Sequence, residues 1–486
     1  MNYHILFAAS EAYPLIKTGG LGDVAGSLPR ALQNGGDDVR LVLPAYRQVL
    51  DRIHSARTLL QTSIYGQSVR LLQTTLPGTR VKVWLVDCPT YFDRPGNPYL
   101  DETGKPWTDN AQRFALFCRA IVMLANDQFG QGWKPDIVHL NDWQTGLAPV
   151  WLAEQTKSPP TVFTIHNLAY QGVFDWDTFQ ELELAPELWH FEKLEFHGQF
   201  SFIKGGLVYS TRINTVSPNY AQEITTPEFG NGLEGLLLSR SKYLNGIING
   251  IDTKEWNPGT DSFLVQKYNR NHLSDKRYNK LALQEELRLK QDENIFLVGL
   301  VSRLVLQKGI DLLIDAIPRL LQYRLQLVLL GSGDALYEKA MEKLAAAYPG
   351  QVSVMIGYDE KLAHRIEAGC DVFLMPSRFE PCGLNQMYSQ CYGTLPVVTP
   401  VGGLLDTVVD TTQESIAIET ATGFIMPAVS SAGLVTSIER ALDYYQQRDT
   451  WRQLQLNAMS QDFSWKQSAE EYRKLYEIAM SQKLRG

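Results

Sequence analysis

The stretch that decides the fold is IFLVGLVSRLVLQKGIDLLIDAIPRLLQYRLQLVLLGSG, residues 295–333. IFLVGLVSR opens it as a short, nearly continuous apolar run, the pattern of a strand buried on both faces. GIDLLIDAIPRLLQ then spaces its apolar residues as an amphipathic helix does, and LQLVLLGSG returns to a strand. Strand, turn, helix, strand is one crossover unit of a parallel sheet. The alternation continues through a helix in ALYEKAMEKLAAAYP and strands in VSVMIGY, DVFLMPS and LPVVTPVGG.

Working outward, an equivalent series occupies the first half. YHILFAAS reads as a strand and residues 22–34 as a helix. DVRLVLPAY, VKVWLVDCP, DIVHLND and TVFTIHN read as further buried strands. The expected fold class is therefore α/β, with two doubly wound, Rossmann-like halves. The seam falls near NGIINGIDTKEWNPGTD (245–261), rich in Asn and Gly and carrying a Pro. Expected domains are 1–250 and 251–460, followed by a C-terminal helix in 461–486. That helix puts Trp465, Ala469, Tyr472, Tyr476 and Ala479 on one face, as expected of a helix docked back on the protein's own core, toward the first domain.

Composition narrows the function classes. The chain has 486 residues, 44% apolar and 20% charged, with a formal net charge of −8. That balance argues against bulk attraction to nucleic acid or anionic membrane, while permitting a local basic pocket. Five cysteines, odd in number and without a C-x-x-C pair, point to a reducing compartment rather than a disulfide framework. No signal or transit pattern precedes the first strand, and no apolar run approaches the ~18 residues that span a bilayer.

KTGGLGDVAGSL (17–28) is the first motif with chemistry in it. Gly20, Gly22 and Ala25 satisfy G-x-G-x-x-A, but Gly20 lies ten residues beyond Ser10, and the second strand ends without an acid for a ribose. Both features argue against a dinucleotide loop. The reading that survives is an anion loop. Gly19, Gly20 and Gly22 let the backbone approach closely, the following helix presents its N–H groups, and Lys17 adds a mobile charge. In the second half, Arg303 and Lys308 flank the first strand–helix turn and suit a diphosphate. Glu380, in SRFEPCGLNQ, reads either as a charge-balancing acid or as an acceptor of sugar hydroxyls. Gly402 and Gly403 open another helix and could add backbone donors. Asp142 reads as a helix cap or a sugar ligand, and Trp143 as a core residue or a platform for a glucose ring.

Six segments occur in order: KTGGLGDV, HLNDW, TIHNLAYQG, NGID, SRLVLQKG and SRFEPCGLNQ. Together they resemble the glycogen and starch synthases of the bacterial and plant type, glycosyltransferase family 5, over residues 1 to about 480. The resemblance implies the GT-B fold, two Rossmann-like domains facing a deep cleft. It implies retaining transfer of glucose from ADP-glucose to the 4-hydroxyl at the non-reducing end of an α-1,4-glucan, without a metal or other cofactor. It implies that Lys17, Arg303 and Lys308 surround the diphosphate, with Gly19 and Gly20 beside it. Glu380, Asn249 and His166 would contact the glucose, with Cys382, Gly383 and Leu384 lining the same turn. Tyr358 and Tyr388 would border adenine and ribose, while Asp23, Asp142 and Trp143 would serve the glucan acceptor. Asn385, where many bacterial members carry Thr, leaves glycogen and starch both open as the polymer. The location implied is cytoplasmic, or the plastid stroma for a processed plant or algal chain. The competing readings are another GT-B transferase of the sucrose synthase kind and a non-catalytic glucan-binding scaffold.

Overall fold

The computed structural model describes residues 2–483; residues 1 and 484–486, at the ends of the first domain and the tail expected above, lie outside the described residues. The chain divides into two compact units. One comprises Met1–Gly250 with Trp465–Gly486, the other Ile251–Ser464.

The first unit contains β1 (His4–Ala8), β2 (Asp38–Pro44), β3 (Arg57–Ile64), β4 (Gln67–Thr75), β5 (Lys82–Asp87) and β6 (Ile137–Asn141). It continues with β7 (Thr161–Ile165), β8 (Val173–Phe174), β9 (Glu195–Phe196), β10 (Gln199–Ser201), β11 (Arg212–Thr215) and β12 (Leu244–Gly246). Nine of these form one sheet in the order β12-β11-β7-β6-β1-β2-β5-β4-β3, and β8, β10 and β9 form a small second sheet. From β12 to β5 every pairing is parallel. All residues of β6 and β7 are buried, as strands covered on both faces require.

One element departs from the expected all-parallel sheet. β3 and β4 form an antiparallel hairpin at the sheet edge, turning at Tyr65 and Gly66, both at positive φ. β3 is mostly exposed, so its sequence lacks the continuous apolar run that marks the buried strands.

The C-terminal helix, Trp465–Lys483, belongs to this first unit and packs on the helix Gly20–Asn34. Trp465, Ala469, Tyr472, Tyr476 and Ala479 are all buried. Both tyrosine hydroxyls are satisfied: Tyr476 Oη lies 2.8 Å from His139 Nδ1, and Tyr472 Oη accepts from Asn214 Nδ2 at 3.1 Å. Each buried ring contributes roughly 1.5–3 kcal/mol of apolar burial, and the paired hydroxyl avoids the cost of an orphaned polar group.

The second unit contains β13 (Phe296–Val301), β14 (Leu325–Gly331), β15 (Val352–Ile356), β16 (Val372–Met375), β17 (Leu395–Val398) and β18 (Phe424–Ile425), all parallel, in the order β15-β14-β13-β16-β17-β18. β14 shows why its sequence is continuously apolar. Leu327 and Leu329 enter one core with Leu313 and Ile317, and Val328 and Leu330 enter the other with Ile366 and Phe373. Among the described residues no helix is long and apolar enough to cross a membrane.

Candidate active site

Among the parallel strands of each unit the order reverses once. The second unit reverses between β13 and β16, the first between β1 and β6. At such a point the loops leaving the carboxyl ends run in opposite directions, which opens the crevice where α/β sheets take ligands. KTGGLGDV, HLNDW, SRLVLQKG and SRFEPCGLNQ sit at these carboxyl ends, whereas TIHNLAYQG runs on from β7 and NGID follows β12.

In the second unit, the turn after β13 carries Arg303 and Lys308, and the loop after β16 carries Glu380. Lys308 Nζ and Glu380 Oε2 form an ion pair at 2.5 Å, and Ser377 Oγ donates to the same oxygen at 3.0 Å. Both members are largely buried, so the pair is screened less than a surface one. Arg303 is exposed and reaches Gln307 Oε1 at 3.2 Å.

Residues without a motif of their own fix this geometry. Arg378 forks onto both carboxylate oxygens of Asp311 at 2.8 and 2.6 Å, and its amide donates to Gln307 O at 2.8 Å. Gln307 Nε2 in turn donates to Phe379 O at 3.2 Å. Gly309 joins the turn to the helix Ile310–Leu320 at φ 68°, and a side chain there would meet the Pro376 carbonyl. Only glycine combines that left-handed backbone with that contact.

The helix Asn385–Cys391 starts just past Glu380, at the turn of Cys382, Gly383 and Leu384. Gln386 Nε2 donates to the Cys382 and Gly383 carbonyls at 3.1 Å, and Gly383 has φ 75°. Asn385 Nδ2 ties the helix to Val301 O at 2.8 Å. The expectation that Gly403 offers a backbone donor is corrected. Its amide is spent on the Glu380 and Pro381 carbonyls at 3.1 and 3.2 Å, because φ 47° at Gly402 folds the chain onto that turn. Tyr358 is 74% exposed and contacts Glu360, whereas Tyr388 stacks on Trp256, centroids 3.8 Å apart.

In the first unit, the loop after β1 reaches the glycines. Gly19 and Gly20 have nothing within 4 Å of where a Cβ would stand. Gly26, by contrast, would place a Cβ against the Tyr13 carbonyl, so its reason is packing. Lys17 Nζ pairs with Asp23 Oδ1 at 2.8 Å, which joins two residues the sequence reading had assigned to different substrates. The sequence reading missed Glu11. This buried carboxylate accepts from Thr18 N and Thr18 Oγ1, both at 2.5 Å, from Gly19 N at 3.2 Å and from Tyr99 Oη at 2.5 Å. The Gly19 amide, expected to turn toward a diphosphate, thus donates to Glu11. An acid seven residues ahead of the loop has no periodic signal that could have revealed it.

After β6, Asp142 has φ 57° and ψ 179°, a region that side chains other than glycine rarely enter. Its side chain does not cap the short helix that follows. It accepts instead from the His166 amide at 2.7 Å and from that of Asn167. Burial pushes this carboxyl up to about 7, against the pull of those amides. His166 is buried, and burial brings its imidazole down to about 3. Its Nε2 lies 2.9 Å from Asn141 Oδ1, while Asn141 Nδ2 donates to Ala8 O. That orientation of Asn141 leaves Nε2–H as the donor. Asn249 is buried and its Oδ1 has no hydrogen-bond partner. The platform role for Trp143 is corrected: it is 8% exposed, with Phe114, Phe174 and Phe202 around its rings and Gly172 against it. Too little surface remains for a stacked sugar.

Comparison with known proteins gives this geometry a family. Residues 4–239 match the starch synthase catalytic domain and residues 279–455 match glycosyl transferases group 1. Glycogen synthase from Cellvibrio japonicus is 56% identical over 98% of this chain and 99% of its own. Glycogen synthase 1 from Methylococcus capsulatus is 53% identical over 98% and 97%. The chain belongs to the glycogen and starch synthase family. Among solved structures, the catalytic domain of starch synthase IV from Arabidopsis thaliana, bound to ADP and acarbose, is similar with a TM-score of 0.88 and 34% identity, covering 99% of this chain and 100% of that one. Sucrose-phosphate synthase from Thermosynechococcus elongatus, at 18% identity and TM-score 0.61, shares the fold. The two α/β units are those of GT-B glycosyltransferases, and this family member is an enzyme of the glycogen synthase type.

Proposed function

We propose that this chain transfers glucose from ADP-glucose to the non-reducing-end 4-hydroxyl of an α-1,4-glucan, with retention at the anomeric carbon. The observation that carries the reading is the Lys308–Glu380 pair at the carboxyl ends of β13 and β16. It sets a cation for the leaving diphosphate beside a carboxylate for the sugar. Relatives named glycogen synthase, matched end to end, support the same reading over the sucrose synthase-like and scaffold alternatives.

Cleaving the sugar–phosphate bond leaves negative charge on the diphosphate. Lys17, Arg303 and Lys308 stabilise it as it develops, more strongly than they hold the ground state. They supply the positive charge that a metal supplies in other transferases. The open space at Gly19 and Gly20 suits close approach of the phosphates. Both contacts of Glu380 fall on Oε2, which leaves Oε1 to accept a glucose hydroxyl. Asn249 Oδ1, buried and unpartnered, gains a hydroxyl donor when sugar binds. His166 is neutral at working pH and orients the glucose rather than carrying charge. Tyr358 and Tyr388 border the nucleotide; Cys382, Gly383 and Leu384 line the glucose turn. Asp142 and Asp23 face the acceptor side. The acceptor oxygen attacks from the face the diphosphate leaves, and the departing phosphate oxygen takes its proton. Five free cysteines fit a cytoplasmic location.

Labelled ADP-glucose and UDP-glucose, each offered with glycogen and with a maltooligosaccharide, test the reaction. Label entering the polymer from ADP-glucose, with chains lengthened by α-1,4 links, is expected. Label released as free glucose, or passed to fructose, would refute it.

A further inference from the structure

The second unit holds a compact group of ligating side chains that the transfer chemistry does not use. His364, on the helix Glu360–Gly369, is 1% exposed. Asp261 Oδ2 fixes its Nδ1 at 2.7 Å and also accepts from Tyr392 Oη at 2.6 Å. The ring lies flat on Trp256, with centroids 3.9 Å apart and planes 12° apart. Its Nε2 is buried and has no hydrogen-bond partner. That nitrogen is aimed at carboxylates: Glu360 Oε1, one helical turn away, is 3.6 Å from it, and Glu255 completes a group whose ligand atoms all lie within 4.8 Å of one another.

We propose that His364 Nε2, Glu360 and Glu255 form a binding site for a divalent cation of the zinc class, with water as fourth ligand. The 3.6 Å separation is too long for a hydrogen bond. It is the spacing of two ligands on one tetrahedral ion with bonds of about 2.0–2.2 Å. A carboxylate holding Nδ1, as Asp261 does, is how proteins orient metal-binding imidazoles. Glu255 is exposed, and its carboxylate already lies within 4.8 Å of the other two ligand atoms. An imidazole with two carboxylates suits zinc better than calcium or magnesium, which favour all-oxygen cages. The ion would pin the segment around residue 255 to the helix Glu360–Gly369, as a structural clasp outside the transfer reaction. A proton is the competing occupant. Burial works against a charged ring, but the hydrogen bond to Asp261 and the nearby Asp261 and Glu360 carboxylates outweigh it and carry the imidazole up to about 9.

The test is calorimetry with Zn²⁺ alone on the full, metal-stripped chain, paired with thermal melts with and without the ion. Glu255→Gln changes an exposed side chain and keeps the fold, and His364→Gln removes the central ligand. Expected are one saturable equivalent in the parent, a Tm raised by zinc, and affinity lowered roughly 10–100-fold or more in Glu255→Gln, with its zinc-induced Tm gain lost. Absence of saturable binding, or equal affinity in parent and Glu255→Gln, would overturn the site and leave a buried imidazolium ion pair in its place.

Discussion

Asp142 is under stress in the first unit in two ways at once. Its backbone conformation costs roughly 1–3 kcal/mol, and its carboxyl is pushed up to about 7 by burial. A carboxyl raised in the folded state stabilises the fold below the ordinary carboxylate range and loses that contribution as pH rises through about 7. The shift from 3.8 amounts to about 4 kcal/mol at most. Asp142→Asn keeps an oxygen for the His166 and Asn167 amides and never ionises. Its Tm should exceed the parent's above pH ~7 and match it below pH ~4. A Tm difference that does not change with pH would show that the carboxyl is not held up by its surroundings. Such stress had no counterpart in the sequence reading, which saw in HLNDW only a cap or a sugar ligand. Glu11 escaped for a related reason: its four hydrogen bonds depend on how the loop folds back, which residue spacing does not encode.

At the scale of elements, the buried strands were legible because strands covered on both faces must be apolar throughout. The β3–β4 hairpin was not, since an exposed edge strand carries no such run. The turn after β13 shows both cases in one place. Arg303 and Lys308 announce an anion, but Arg378, Asp311 and Gln307, which hold the turn, meet only in three dimensions. Gly309 is the joint of that turn. Gly309→Ala should lower stability by about 2 kcal/mol or more, from the left-handed backbone and the Pro376 carbonyl together. It should also lower kcat by displacing Lys308. Urea unfolding with an unchanged midpoint would contradict this account of the turn.

At the scale of the whole molecule, the chain returns from the second unit to finish in the first. The helix Trp465–Lys483 supplies Tyr472 and Tyr476 to the sheet through His139 and Asn214. Ending the chain before Trp465 should therefore lower the melting of the first unit while leaving the second unit's transition in place. A single unshifted transition would show that the helix is dispensable. The central claim of the proposed function is that Lys17 stabilises the donor diphosphate as negative charge develops on it. The most direct measurement is the steady-state kinetics of Lys17→Ala with ADP-glucose and glycogen. The account predicts kcat lowered by roughly 100–1,000-fold, the loss of one transition-state charge donor; a kcat equal to the parent's would contradict it.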